Sequence, residues 1–174
     1  MKKIFIYEVD REYIEYLREI DETVRKEKDH PGAKSRKYIG ILMKINGCDY
    51  FAPLASPKKK FEHMKNDKDF IKVEGGKYGA INLNNMIPVH PSGLIRYDIN
   101  TESDTKYKNI LLNQARFIRK NTSQIISAAN ELYEIMTGTD KENENERNRM
   151  KDRCCKYKEL EEASKNYKKQ DSTN

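Results

Sequence analysis

Residues 38–60 read YIGILMKINGCDYFAPLASPKKK. Asn46-Gly47 falls between two runs rich in β-branched, apolar and aromatic residues. It is the strongest short hairpin signal a sequence offers, because both turn positions must tolerate positive φ. The stretch predicts a strand, a two-residue turn and a return strand. A sharp exit through Ser56-Pro57 then leads into Lys58, Lys59 and Lys60. Such a hairpin carries a hydroxyl and a cluster of ammonium groups to one end of a sheet, an arrangement suited to phosphate.

The charge is concentrated in the same place. The chain has 34 basic and 28 acidic residues, a net +6. Residues 34–60 hold Lys34, Arg36, Lys37, Lys44, Lys58, Lys59 and Lys60 against Asp49 alone, and the remaining 27 basic and 27 acidic residues balance. A positive field gathered on one hairpin suits a polyanion such as RNA; the bland alternative is a solvated lysine face. With 36% charged residues and a mean hydropathy of -0.98, no run is apolar enough to span a bilayer. The opening MKKIFIYEVD turns acidic without a small-residue cleavage site, so it reads as a strand rather than a signal peptide. Cys48, Cys154 and Cys155 lack metal-ligand spacing, which suits reduced thiols in a cytoplasm.

Outward from the hairpin, residues 3–9 read as a strand, and Asp10 as the cap of a helix with Glu12 in its first turn. Tyr13, Leu17, Ile20 and Val24 recur at helical spacing and should face inward, leaving Tyr16 exposed. Residues 27–36 form a polar loop broken at Pro31-Gly32. After Lys60 comes an irregular stretch or a single helical turn. Phe70–Val73, Gly75-Gly76 and Tyr78–Leu83 then make a second hairpin. MIPV (86–89) reads as a short strand whose Pro88 suggests an edge or bulge, and LIRYDI (94–99) as the last strand. From Thr101 the period becomes helical. One helix ends near Asn121 with an apolar face of Tyr107, Ile110, Leu111, Gln114, Phe117 and Ile118. A second is stopped by Gly138, and a polar segment precedes a final helix marked by Met150, Cys154, Tyr157 and Leu160. The fold class is α+β: a twisted antiparallel sheet of six or seven strands, partly closed like a small barrel, with about four helices around it. One domain spans 1–168, and 169–174 should fray.

Paired carboxylates, H-E-x-x-H, Gly-rich phosphate loops and G-x-S-x-G elbows are all missing from the sequence. His30, His63 and His90 are scattered; His63 lies just past the lysines, although a lone loop histidine is ordinarily only a surface residue. What gathers at the basic hairpin is a hydroxyl, ammonium groups, a guanidinium and tyrosines. That inventory suits cleavage of RNA, which brings its own nucleophile. The protein need only align the 2′-oxygen, phosphorus and 5′-oxygen and stabilise charge on the phosphoryl oxygens. A lysine crowded by other cations has the shifted pKa that proton transfer requires. DNA lacks the 2′-OH and would be spared.

FAPLASPKKK, preceded by the YIGI strand and N-G turn and followed by GAINLNNMIPV, closely resembles the ToxN/AbiQ family. These are endoribonuclease toxins of type III toxin–antitoxin systems that also act in abortive infection against bacteriophage. The resemblance extends through EYIEYL (12–17), both hairpins and FIRKN (117–121), and is weakest in the C-terminal helix. It implies a fold related to the Kid/MazF-like barrels and metal-independent cleavage leaving 2′,3′-cyclic phosphate and 5′-hydroxyl ends, with no cofactor. It further implies a small repeat-derived pseudoknot RNA as antitoxin, processed by the toxin and bound in a protein–RNA assembly.

On this resemblance Ser56 and Lys58 fall on the family's serine and lysine, as phosphate-orienting and charge-stabilising groups. Tyr13 falls on the first tyrosine of its Y-I-x-Y-L segment, although spacing alone makes it a core residue. Arg36 stands where a lysine aligns, with Lys37 beside it, and which of the two acts stays open. Ser56, Lys58, Tyr13 and Arg36 are thus the catalytic candidates. Lys34, Lys37, Ala55, Lys59, Lys60, His63 and Phe117 are candidate RNA contacts. Ala55 replaces a threonine common in the family and so loses a hydroxyl, while Phe117 also lies on an apolar stripe. The competing readings are a non-catalytic RNA-binding module and a domain that docks an acidic protein.

Overall fold

The computed structural model describes residues 2–169; the tail expected to fray lies outside the described residues from 170 onward. The strands are β1 (Phe5–Val9), β2 (Lys37–Gly40), β3 (Lys44–Ile45), β4 (Cys48–Ala55), β5 (Phe70–Lys72), β6 (Ala80–Asn82), β7 (Ile87–Pro88) and β8 (Leu94–Arg96). The helices are α1 (Arg11–Ile20), between β1 and β2, then α2 (Thr105–Lys120), α3 (Thr122–Thr137), α4 (Glu144–Met150) and α5 (Tyr157–Asn166). The class is α+β, with eight strands where six or seven were expected and five helices where four were.

β4 is the hub. It pairs with β2, β3, β6 and β7, always antiparallel. Seven of its eight residues are buried, so its sequence runs apolar without alternating, as strands covered on both faces do. The sheet runs β5-β6-β4-β2-β1-β8, with β3 and β7 attached to β4 off that path. No pairing joins β5 to β8 among the described residues, so the sheet is open.

The Asn46-Gly47 turn forms as read, with φ of 51° and 76°. The arm before it does not run as one strand: β2 ends at Gly40 and β3 begins at Lys44. Gly40 lies face-on to Phe51, whose Cδ1 would sit 2.2 Å from a Cβ at position 40. Gly40→Ala should therefore destabilise the fold by about 1–3 kcal/mol, the usual range for overpacking. Denaturant unfolding would measure it. Adding Phe51→Leu to Gly40→Ala should cost less than the two single changes summed, because the ring is the obstacle.

α1 begins as expected, the Asp10 carboxylate accepting from the Glu12 N–H at 3.2 Å. It stops at Ile20, where Asp21 turns extended (φ −144°). Val24 is therefore buried beyond the helix, and Ile20 is exposed, contrary to the expected stripe. Tyr16 is half-buried rather than exposed, its hydroxyl donating to Ala163 O at 2.8 Å. The final helix is likewise interrupted. Between α4 and α5 the Cys155 N–H bonds to Asn84 O at 2.8 Å. The neighbouring Arg153 forks onto Asp69 at 2.6 and 2.9 Å, so tertiary partners replace the helical ladder. All three cysteines are free and buried. No helix among the described residues is long and apolar enough to cross a membrane.

Candidate active site

β4 ends at Ala55, and the exposed Ser56 begins the bend. Lys58 is extended (φ −139°, ψ 141°) and accepts the Phe61 N–H on its carbonyl at 2.9 Å, starting a single 3-10 turn over Lys59–Glu62. The bend is held from behind. Gly79, at φ +92°, lets β6 approach so closely that a Cβ there would lie 1.9 Å from Ala55 O.

Ser56 and Lys58 line one cleft of about 590 Å³, shared with Arg25, Lys28, Lys34, Arg36 and Lys60. Partial burial, and then the charges of Lys60, Arg25, Arg36 and Lys28, lower the pKa of the Lys58 ammonium. Its nitrogen is thus closer to a usable base than an ordinary lysine.

The seven clustered cations are not equivalent. Lys44 is spent on Asp49 at 2.7 Å. Lys37, only 4% exposed, is held by Glu8 at 2.7 Å and by Ser35 O at 2.8 Å, beneath the Tyr97 ring. Lys34 pairs with Glu102 at 2.7 Å and lies 4.9 Å from the Tyr107 ring centroid. Arg36 is tied through its backbone N–H to Glu27 (3.1 Å) and through Nη2 to Lys26 O (3.2 Å). Arg36, Lys58, Lys59 and Lys60 form no ion pair among the described residues. Of the Arg36/Lys37 alternatives, the geometry leaves Arg36 available at the cleft and commits Lys37 to Glu8.

The other expected positions separate. Tyr13 is away from the cleft. It is fully buried, its hydroxyl donates to Pro88 O at 2.7 Å, and its ring meets Tyr167 edge-on at 4.8 Å. Burial raises its pKa, so it holds its proton. Helical spacing had placed it in the core, and the structure puts it there with its one polar atom already satisfied, apart from the other catalytic candidates. Phe117 is half-buried against the core and does not line the cleft. His63 is exposed just after the 3-10 turn and does not line the cleft, and Lys59 also lies outside it, in a neighbouring groove bordered by Lys58, Glu62 and Lys77. Ala55 is buried in the cleft floor.

Sequence reasoning missed Arg25 and Lys28, which the 24–36 loop folds back over the bend, and no local pattern marks them. Arg25 is aimed by Asn85, whose Oδ1 accepts from its Nε at 2.8 Å while the amide nitrogen donates to Thr23 O at 3.0 Å. It also missed two carboxamides. Asn82 left no signal, but Gln114 did: it is the one polar residue in the apolar stripe of α2.

The family model for the toxin ToxN of type III toxin–antitoxin systems matches residues 5–165. The chain belongs to the ToxN family. Among curated ToxN relatives, Endoribonuclease ToxN of Bacillus thuringiensis subsp. kurstaki is 34% identical over 165 residues, covering 94% of this chain and 84% of that protein. Endoribonuclease ToxN of Pectobacterium atrosepticum is 35% identical over 136 residues, 75% and 80% of the two chains. A solved bacterial type III toxin, described as selectively inhibited by a non-coding RNA pseudoknot, has a TM-score of 0.83 at 32% identity. That match covers 97% of this chain and 100% of the other.

Proposed function

We propose that this chain is a metal-independent endoribonuclease toxin, one catalytic unit over residues 1–168, restrained by a small pseudoknot RNA and acting in defence against phage. The observation that carries the reading is the exposed Ser56–Lys58 bend, facing a cleft lined by Arg25, Arg36 and Lys60, in a member of the ToxN family. Ser56 Oγ donates to a phosphoryl oxygen and sets the scissile phosphate. Arg36, Arg25 and Lys60 neutralise the charge that grows on the phosphoryl oxygens. Lys58, as the free amine, takes the proton of the 2′-OH as O2′ attacks phosphorus. The P–O5′ bond breaks, and the 5′-oxygen leaves and takes up a proton. The products are a 2′,3′-cyclic phosphate and a 5′-hydroxyl. Both the alignment and the charge stabilisation come from side chains, so no step calls for a metal.

Incubating the protein with RNA in excess EDTA tests this: fragments with cyclic-phosphate ends are expected, and a single 2′-deoxy substitution at the cut should block cleavage there. Intact RNA would leave a binding module in its place. The pH profile tests the role of Lys58. Its lowered pKa means that the free amine appears below the usual lysine range. The cleavage rate should therefore rise with pH and level off above that pKa. Arg25→Gln removes one of the charges holding the pKa down, so the rising limb should move to higher pH. A limb that stays in place would remove Arg25 from this role.

A further inference from the structure

We propose that the floor of the cleft is a base-reading subsite, in which Asn82 and Gln114 hydrogen-bond one nucleobase of the bound RNA. The proposal rests on the endoribonuclease reading and adds to it a source of sequence preference. Beside its cations the cleft has an apolar patch: Ala55, Phe61 and Phe70 line it and, with the fully buried Ala80, form a small cluster separate from the main core. Ala55 pairs with Ala80 and Phe70 with Asn82 across neighbouring strands, and Ala80 and Asn82 alternate onto one face of β6. Asn82 therefore stands at one end of this patch.

Gln114 reaches the floor from α2. Its Nε2 donates to Tyr78 O at 2.8 Å and approaches Ala55 O at 3.5 Å. Two carbonyl acceptors fix which end of the amide is nitrogen. Oε1 is thereby left as an acceptor, buried, on a residue 2% exposed, with no donor to meet it. Asn82 is 7% exposed and lines the same cleft, and its side chain has no hydrogen-bond partner among the described residues. Buried polar atoms in folded proteins are rarely left unpartnered. Two carboxamides with unspent capacity in one cleft, together with its apolar patch, have the chemistry that receives a base: apolar contact for its face, and an acceptor and a donor for its edge. Ala55 precedes Ser56, so the base read here adjoins the phosphate that is cut.

The test is cleavage of a random-sequence RNA pool by wild type, Asn82→Ala and Gln114→Met, followed by sequencing of the fragment ends. Both variants should lose about tenfold of the preference at the same single nucleotide beside the cut, with the other positions unchanged. An abasic substitution at that nucleotide should slow the wild type and have little further effect on Asn82→Ala. If Gln114→Met melts early, Asn82→Ala decides alone, because its side chain makes no internal bond to lose. Cutting with unchanged preference in a folded Asn82→Ala overturns the subsite and leaves the nuclease reading standing. A wild type that cuts no RNA overturns both.

Discussion

Lys58→Met should reduce RNA cleavage by about a thousandfold while leaving RNA bound. General base catalysis by a positioned group contributes about 10²–10⁴-fold, and the ammonium that forms as Lys58 takes the proton lies beside the charge growing on the phosphate. Binding draws on a different inventory. Arg25, Lys28, Arg36 and Lys60 remain in the cleft, and losing one cation of several lowers the salt slope of binding by about one without abolishing it. The fold should not suffer: the side chain is exposed, forms no ion pair among the described residues, and its neighbours repel it. Lys59→Met is the matched control. It removes the same charge one residue further on, where the side chain does not line the cleft, and should cut at nearly the wild-type rate. Parallel measurements of single-turnover cleavage, filter binding at two salt concentrations and melting temperature separate these effects. If Lys58→Met retained a tenth of the rate, the bend would serve only to position RNA.

Some of this was legible in the sequence and some was not, for identifiable reasons. The Asn46-Gly47 turn, the second hairpin and the polar-to-helical switch near residue 101 are local signals, and each marks an element that forms. Gly40 gave no warning, because what demands a glycine there is the Phe51 ring on another strand. The charge count found the right hairpin but not which of its cations are free. Pairing of Lys34, Lys37 and Lys44 depends on Glu8 and Glu102, far off in the chain, and on Asp49 across the turn. Tyr13 shows two lines of reasoning in conflict: its helical spacing pointed to the core and its motif to the groove, and the packing follows the spacing. Ser56 and Lys58 line the same cleft because both belong to one continuous bend, a local feature of the sequence. Arg25, Asn82 and Gln114 share no such feature, since strands, a loop and a helix converge there from distant parts of the chain.

Glu161→Leu should cost about 3–5 kcal/mol of folding stability. Glu161 lies on α5 and is 3% exposed, and its carboxylate accepts from three donors on three different elements. These are Tyr50 Oη of β4 at 2.7 Å, Tyr133 Oη of α3 at 2.6 Å and Asn46 Nδ2 of the hairpin turn at 2.9 Å. Burial and the nearby carboxylate both raise the pKa of Tyr50, so its hydroxyl stays a donor. Leucine fills the space but takes the short acceptor from two tyrosine hydroxyls and an amide, leaving only the longer contacts of Tyr50 Oη with Tyr157 O at 3.4 Å and of Asn46 Nδ2 with Tyr133 Oη at 3.3 Å. Each such group costs about 1–3 kcal/mol when sealed from water. At this chain length the loss lowers the melting temperature by roughly 10 °C. Glu161→Gln should lose less, since its oxygen keeps both tyrosines and only Asn46 then faces a second donor. Glu162→Ala, at an exposed neighbour, should be nearly neutral. Removing the tyrosine donors as well discriminates further: Tyr50→Phe and Tyr133→Phe combined with Glu161→Leu should recover much of the loss, because only the Asn46 amide then lacks a protein acceptor, and Asn46 is exposed to water. If that triple variant were instead less stable than Glu161→Leu alone, packing of the tyrosine rings, and not the shared carboxylate, would be what ties α5 to β4, the strand that leads into Ser56.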